Sequence, residues 1–233
     1  MADLEKIQTA LGIHFKNQAL LETALVHSSY LNERSGHGLI SNERLEFLGD
    51  AVLGLFIAEM LYRTFAGEDE GTLTRYRSLL VRRETLSRLG ESLKLGDYLY
   101  LGRGEDSSGG RAKPANLSRA LEALIAAIYL DQGSEAAGRF IHRLFAADLA
   151  RLEEMSAIAD SKSRLQEIVQ SRFQTTPRYN ETEIGSQSGE ILFAATVSVR
   201  EDILGRGEGR TKKEAQSRAA QQAIDELGRH FTP

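Results

Sequence analysis

Apolar residues recur at helical spacing from Leu4 to about Leu152. Leu4, Ile7 and Leu11, then Leu20, Leu21, Ala24 and Leu25, follow the i, i+3, i+4 rule. Residues 73–95, LTRYRSLLVRRETLSRLGESLKL, predict one or two amphipathic helices with basic outer faces. Residues 116–130, NLSRALEALIAAIYL, are almost continuously apolar and predict a buried helix, ended by the breaker Asp131-Gln132-Gly133. The Gly- and Ser-rich stretch between them, LGRGEDSSGGRAKPAN (101–116), reads as a mobile loop.

After about residue 155 the period changes. MSAIADSK (155–162) reads as a weakly patterned linker, and Ser163 to Phe173 as a helix. RYNETEIG, EILFAATVSVR and EDILGRGEG then read as strands, the second with clean alternation of its two faces. A helix from about Thr211 to Leu227 follows. The pattern predicts an all-α domain over 1–152, a linker over 153–160, and a small α+β domain of order α-β-β-β-α over 161–230.

The chain's 233 residues leave room for two cores. With no cysteine, neither a disulfide framework nor a thiolate zinc site is available. No apolar run approaches the roughly 18 residues of a membrane span, and MADLEKIQTALG is charged and amphipathic, unlike a secretory leader. A cytoplasmic protein without membrane partners is expected. The net charge of −4 does not advertise a nucleic-acid binder, so any such function must rest on local patches.

The densest candidate chemistry is NERLEFLGDAVL (42–53). At about 100° per residue, Glu43, Glu46 and Asp50 fall within about 60° of one another. Their stripe runs on into Leu53 and Ile57, while Phe47, Leu48, Val52, Leu55 and Phe56 cover the other directions and leave no generous solvent face. One reading is a helix N-terminus with Asn42 as its cap and acids favoured by the dipole. That accounts well for Glu43 and poorly for Asp50. The other is a site for a hard divalent cation, which takes oxygen ligands. The buried stretch 116–130 adds one more acid, Glu122, among Leu117, Leu121, Leu124, Ile125 and Ile128. A carboxylate there needs a partner, either a cation or the guanidinium of Arg119 one turn earlier.

NERLEFLGDAVL resembles the signature of the ribonuclease III family at all twelve positions. The likeness continues through EGTLTRYRSLLVRRETL (70–86), LGRGEDSSGG (101–110) and ALEALIAAIYLDQG (120–133). The resemblance implies a helical endonuclease domain that dimerises and cuts both strands of double-stranded RNA with Mg²⁺, for which Mn²⁺ would substitute. It implies processing of ribosomal and other RNA, leaving 5′-phosphate and 3′-hydroxyl ends with short 3′ overhangs. By the same resemblance Glu46, Asp50 and Glu122 are metal ligands, Asp50 and Glu122 carry catalysis, and Glu43 is a supporting acid. One position departs: where the family has an aspartate ligand three residues before the second-helix glutamate, this chain has Arg119. Pro114, Ala115 and Asn116 differ too. Arg has no acceptor and cannot ligate Mg²⁺. The expectation is retained but weakened cleavage; the alternative is a double-stranded-RNA-binding protein whose nuclease has lapsed.

In GRGEGRTKKEAQSR (205–218), Arg206, Arg210, Lys212, Lys213 and Arg218 oppose only Glu208 and Glu214. At a helix N-terminus such lysines suit phosphates. Gly205, Gly207 and Gly209 form no dinucleotide fingerprint, because Arg210 stands where the third glycine would be. With its α-β-β-β-α order the segment resembles a double-stranded RNA-binding domain, which reads A-form shape. That implies backbone contacts from Lys212, Lys213 and Gln216, and minor-groove contacts from Gln166, Glu167 and Gln170. The loop GSQSGE (185–190) lacks the histidine many such domains carry there. His27 and Ser28 accompany no triad, and His14, His37, His142 and His230 show no metal spacing.

Overall fold

A computed structural model describes residues 3–33, 38–185 and 191–229. The chain divides into two compact units, Met1–Leu149 and Ala150–Pro233.

The first unit is helical. α1 (Leu4–Leu11), α2 (Gln18–Leu25) and α3 (Ser28–Glu33) precede the long α4 (Glu43–Thr64). α5 (Glu70–Val81) and α6 (Arg83–Ser92) resolve the basic amphipathic stretch into two helices, separated where Arg82 turns to an extended conformation. Asp69 caps α5 by accepting from the Thr72 N–H at 2.7 Å. α7 (Arg103–Ser107) and two 3-10 turns lead to α8 (Pro114–Gln132). α8 is apolar on nearly every face because it is the centre of the unit, lying against α2, α4 and α6. Leu121, Leu124, Ile125, Ile128 and four alanines along it are buried completely.

Two expectations are corrected. Residues 101–116 form a hydrogen-bonded structure, not an irregular loop. The Glu33 carboxylate accepts from the Arg103 and Gly104 N–H groups at the start of α7. Arg111 donates to the carbonyls of Gly96 and Leu99, and buried Asn116 donates to Glu105 and to the Gly110 carbonyl. Pairing with Lys113 and the bond from Asn116 hold the Glu105 carboxyl below its ordinary range. Composition flagged the glycines; the polar side chains around them supply the order. Likewise no helix starts at Ser163: α9 runs over Ser134–Phe173, through the residues read as a linker. EEMSAIADSK contains no glycine or proline, and its Ala, Glu, Met and Lys are good helix formers.

The second unit contains β1 (Arg178–Gly185), β2 (Ile191–Val199), β3 (Asp202–Gly209) and α10 (Lys212–Arg229). The strands form one antiparallel sheet in the order β1-β2-β3. Val197 and Val199 of β2 meet Leu165 and Val169 of α9 and the alanines of α10 in a common core. Gly205, Gly207 and Gly209 occupy alternate positions of β3 and face α10. A Cβ on Gly205 would lie 2.1 Å from the Ala219 carbonyl oxygen, and one on Gly207 2.4 Å from the Ala219 nitrogen. The glycine repeat that failed as a nucleotide fingerprint is a packing device, letting an alanine-faced helix approach a strand closely. Apart from Gly185, the GSQSGE loop lies outside the described residues, as do His37 and His230.

Candidate functional site

α4 and α8 cross at Gly49. A Cβ at that position would stand 1.8 Å from the Glu122 carbonyl oxygen and 2.4 Å from its carbonyl carbon. Only glycine permits this backbone approach, and it lies between Glu46 and Asp50 on one helix and beside Glu122 on the other. The sequence quoted Gly49 within its motif without revealing this role, because the clash partner is 73 residues away.

The crossing brings the α4 acids to Glu122. Burial raises the Glu122 carboxyl from 4.5 to about 7, and the charges of Asp50 and Glu46 push in the same direction, against Arg119. Burial also raises Glu46, with Arg119 opposing and Glu43 and Asp50 adding to the rise. Glu43 and Asp50 themselves are exposed. Glu43 sits in the first turn of α4 and accepts from the Ser41 hydroxyl at 2.6 Å.

The expected partner of Arg119 is corrected. Its guanidinium pairs with Glu46 across the helix crossing, Nε to Oε1 at 3.4 Å, rather than with Glu122 on its own helix. Arg119 is half-exposed in that pair, and the Glu46 side chain retains 27% of its accessibility. Asn42 is also not the cap it resembled. Its backbone is helical and its side chain makes no capping bond; Asn42 is buried, and Nδ2 donates to the Ala24 carbonyl at 3.2 Å. It anchors the start of α4 to the end of α2.

The expectation that α4 has no solvent face is corrected as well. Phe47, Leu55 and Tyr62 are 81%, 66% and 75% exposed, and with Ala51 and Ala58 they form a stripe beside the acids. A contiguous exposed apolar stripe of this kind marks an association surface.

His27 lies close by. Its Nδ1 hydrogen-bonds the Ser29 side chain at 2.8 Å, and burial holds the imidazole below its ordinary pKa, with Glu105 opposing. Ser28 takes no part in that bond.

Glu46, Asp50 and Glu122 are hard oxygen donors; the charge of Asp50 acts on both glutamates and raises them, and one guanidinium offsets it. That chemistry fits a hard divalent cation. Among the described residues, no three such side chains are gathered into a ready-made cage.

In the second unit, Lys212 and Lys213 are exposed in the first turn of α10. Glu214 N–H donates to the Thr211 hydroxyl at 3.1 Å, capping that helix. Arg218 is tied to Glu214 at 2.8 Å and to the Glu208 carbonyl. Gln166, Glu167 and Gln170 line one depression on the face of α9 with Ser163 and Ser171. Gln216 is engaged within the unit, bonded to Glu181 and Lys162.

Residues 17–149 match the family described as Ribonuclease-III-like, and residues 161–227 match the double-stranded RNA binding motif. A relative named Ribonuclease 3 from Dehalococcoides mccartyi (strain ATCC BAA-2266 / KCTC 15142 / 195) is 50% identical over 232 residues, spanning 100% of this chain and 98% of its own length. Another of that name from Roseiflexus sp. (strain RS-1) is 42% identical over 96% and 95%. The crystal structure of the nuclease domain of ribonuclease III from Campylobacter jejuni is 40% identical, with a TM-score of 0.58 over 64% of this chain and 97% of that one. A second structure of that domain, described by its structural flexibility in a region involved in dimer formation, is 42% identical, with a TM-score of 0.57 over 61% and 95%.

Proposed function

This chain belongs to the ribonuclease III family and is an endoribonuclease of that type, and from that premise we propose that it hydrolyses double-stranded RNA at the α4–α8 crossing with Mg²⁺. The supporting observation is the close approach of α4 and α8 at Gly49, which sets Glu46 and Asp50 near enough for their charges to raise Glu122, in a chain that also carries a double-stranded RNA binding motif.

Glu46, Asp50 and Glu122 would hold the divalent ion, with Mn²⁺ able to replace Mg²⁺. Such an ion supplies the Lewis acidity that phosphodiester hydrolysis requires. The chain's own residues prepare the place. Gly49 sets the spacing of the two helices, and the partial burial of Glu122 weakens the solvation of its charge. Glu43, one turn before Glu46 and exposed, supports the acid stripe. Asp50 and Glu122 are the residues we assign to catalysis.

The RNA is held by the second domain. Lys212 and Lys213, exposed at a capped helix start, meet backbone phosphate; Gln166 and Gln170, exposed on α9, meet the minor groove. Gln216 reaches RNA only by releasing Glu181 or Lys162. One chain carries one carboxylate cluster, so cutting both strands takes two copies. The exposed Phe47, Leu55 and Tyr62 stripe is the surface on which a homodimer forms. We place the protein in the cytoplasm, acting in the processing of ribosomal and other RNA; among the described residues no helix is long and apolar enough to cross a membrane.

A gel assay of labelled duplex and single-stranded RNA tests this reading. Mg²⁺-dependent cutting of the duplex alone supports it. Duplex binding without cutting at any Mg²⁺ concentration would show that Arg119 closes the site.

A further inference from the structure

Arg119 is the one feature of this centre that hydrolysis by a carboxylate cluster does not require, yet its guanidinium sits on Glu46. Counting charge on the three assigned ligands alone, with exposed Glu43 left to solvent, Glu46, Asp50 and Glu122 together carry −3 when ionised, and Arg119 brings the sum to −2. One divalent cation neutralises that remainder. A second would leave these four groups and their ions net positive, which opposes its binding.

The pair is also built to come apart. Arg119 is half-exposed and meets Glu46 through Nε at 3.4 Å, well beyond the about 2.7–2.9 Å of a charge-assisted hydrogen bond. Solvent screening leaves pairs of this kind weak. A divalent ion offers Glu46 a stronger partner, and an RNA phosphate offers the released guanidinium a planar, two-point anion of the type it binds best.

We propose that Arg119 is the second cation of the centre: each chain takes a single divalent ion, and the guanidinium leaves Glu46 to hold a non-bridging oxygen of the phosphate being cut. The inference rests on the functional reading above and adds to it a stoichiometry and an exchange of partners. No bond is made or broken by Arg119; its role is electrostatic.

The test is a count of bound Mn²⁺ on the full-length protein by electron paramagnetic resonance, without RNA, paired with single-turnover cleavage of a duplex RNA in Mg²⁺. Wild-type protein should bind one Mn²⁺ per chain. Arg119→Asp changes the sum from −2 to −4 and should bind two, with cleavage depending on Mg²⁺ to second order where wild type is first order. Arg119→Gln removes the cation without adding a ligand, and should cut about 10- to 100-fold more slowly, the loss of one charged hydrogen bond. Because Arg119 is half-exposed, circular dichroism should show all three folded alike. Two Mn²⁺ ions on wild type, or one on Arg119→Asp, would overturn the inference while leaving the functional reading intact. No Mn²⁺ on wild type would overturn both. Undiminished cleavage by Arg119→Gln would overturn the phosphate contact.

Discussion

Glu122→Gln separates the cost of the buried acid from its use. In the folded protein the Glu122 carboxyl titrates at about 7 against 4.5 as its ordinary value, chiefly through burial. Because the folded value is the higher one, the carboxyl's contribution to stability is complete below pH 4.5 and is lost as pH rises through about 7. The rise corresponds to roughly 3 kcal/mol at about 1.36 kcal/mol per tenfold. Water reaches this partly exposed side chain, and the resulting screening brings the figure to on the order of 1–2 kcal/mol. Glutamine cannot ionise and escapes the loss. Urea unfolding of the full chain in EDTA, followed by helical circular dichroism, should find the variant close to wild type at pH 5 and more stable by about 1–2 kcal/mol at pH 8. The same variant should lose cleavage while retaining RNA affinity. An equal stability difference at both pH values, or a variant less stable at pH 8, would refute the claim that Glu122 is held ionised against its surroundings.

Gly49→Ala would force the backbones of α4 and α8 apart, since no side chain can move to make room. It should cost about 3 kcal/mol, a fall in Tm of about 6–12 °C, and an unchanged Tm would mean that the crossing yields freely. Leu55→Asp, on the exposed apolar stripe, should convert a dimer to a monomer in sedimentation equilibrium; an unaltered dimer would place the interface elsewhere. Lys212→Ala with Lys213→Ala should weaken duplex RNA binding and flatten the slope of log affinity on log salt by about 1–2, whereas an unchanged slope would remove these lysines from the RNA face. Asn116→Ala leaves Glu105 and the Gly110 carbonyl without their shared donor and should lower stability by about 1–3 kcal/mol, read in the same urea transitions.

Periodicity carried much of the fold. The buried character of α8, the placing of three acids on one stripe of α4, and the strand-strand-strand-helix order all follow from spacing along a single element. What spacing could not supply were the relations between elements. Gly49 looks like a weak point in a helix until Glu122 is set against it. Arg119 and Glu122 are one turn apart in sequence, which suggested their pairing, but Glu46 is the nearer partner across the crossing. Phe47 and Leu55 read as core because their neighbours are apolar, and the fold leaves their side of α4 uncovered. The stretch 101–116 looked unstructured by composition, since part of its order comes from Glu33, Gly96 and Leu99 outside it and the rest from bonds among its own polar side chains.

The central claim is that the acids at the α4–α8 crossing hold the ion that cuts double-stranded RNA. Single-turnover cleavage of an end-labelled RNA duplex, with protein in excess of its Kd, tests it directly when wild type, Glu46→Gln, Asp50→Asn and Glu122→Gln are compared in Mg²⁺ and in EDTA. Wild type should cut only with Mg²⁺. Each variant should be slower by at least about 100-fold, more than the loss of an outer partner of a metal ligand costs, at unchanged RNA affinity. Cutting in EDTA, or a wild-type rate in any of the three variants, would contradict the account.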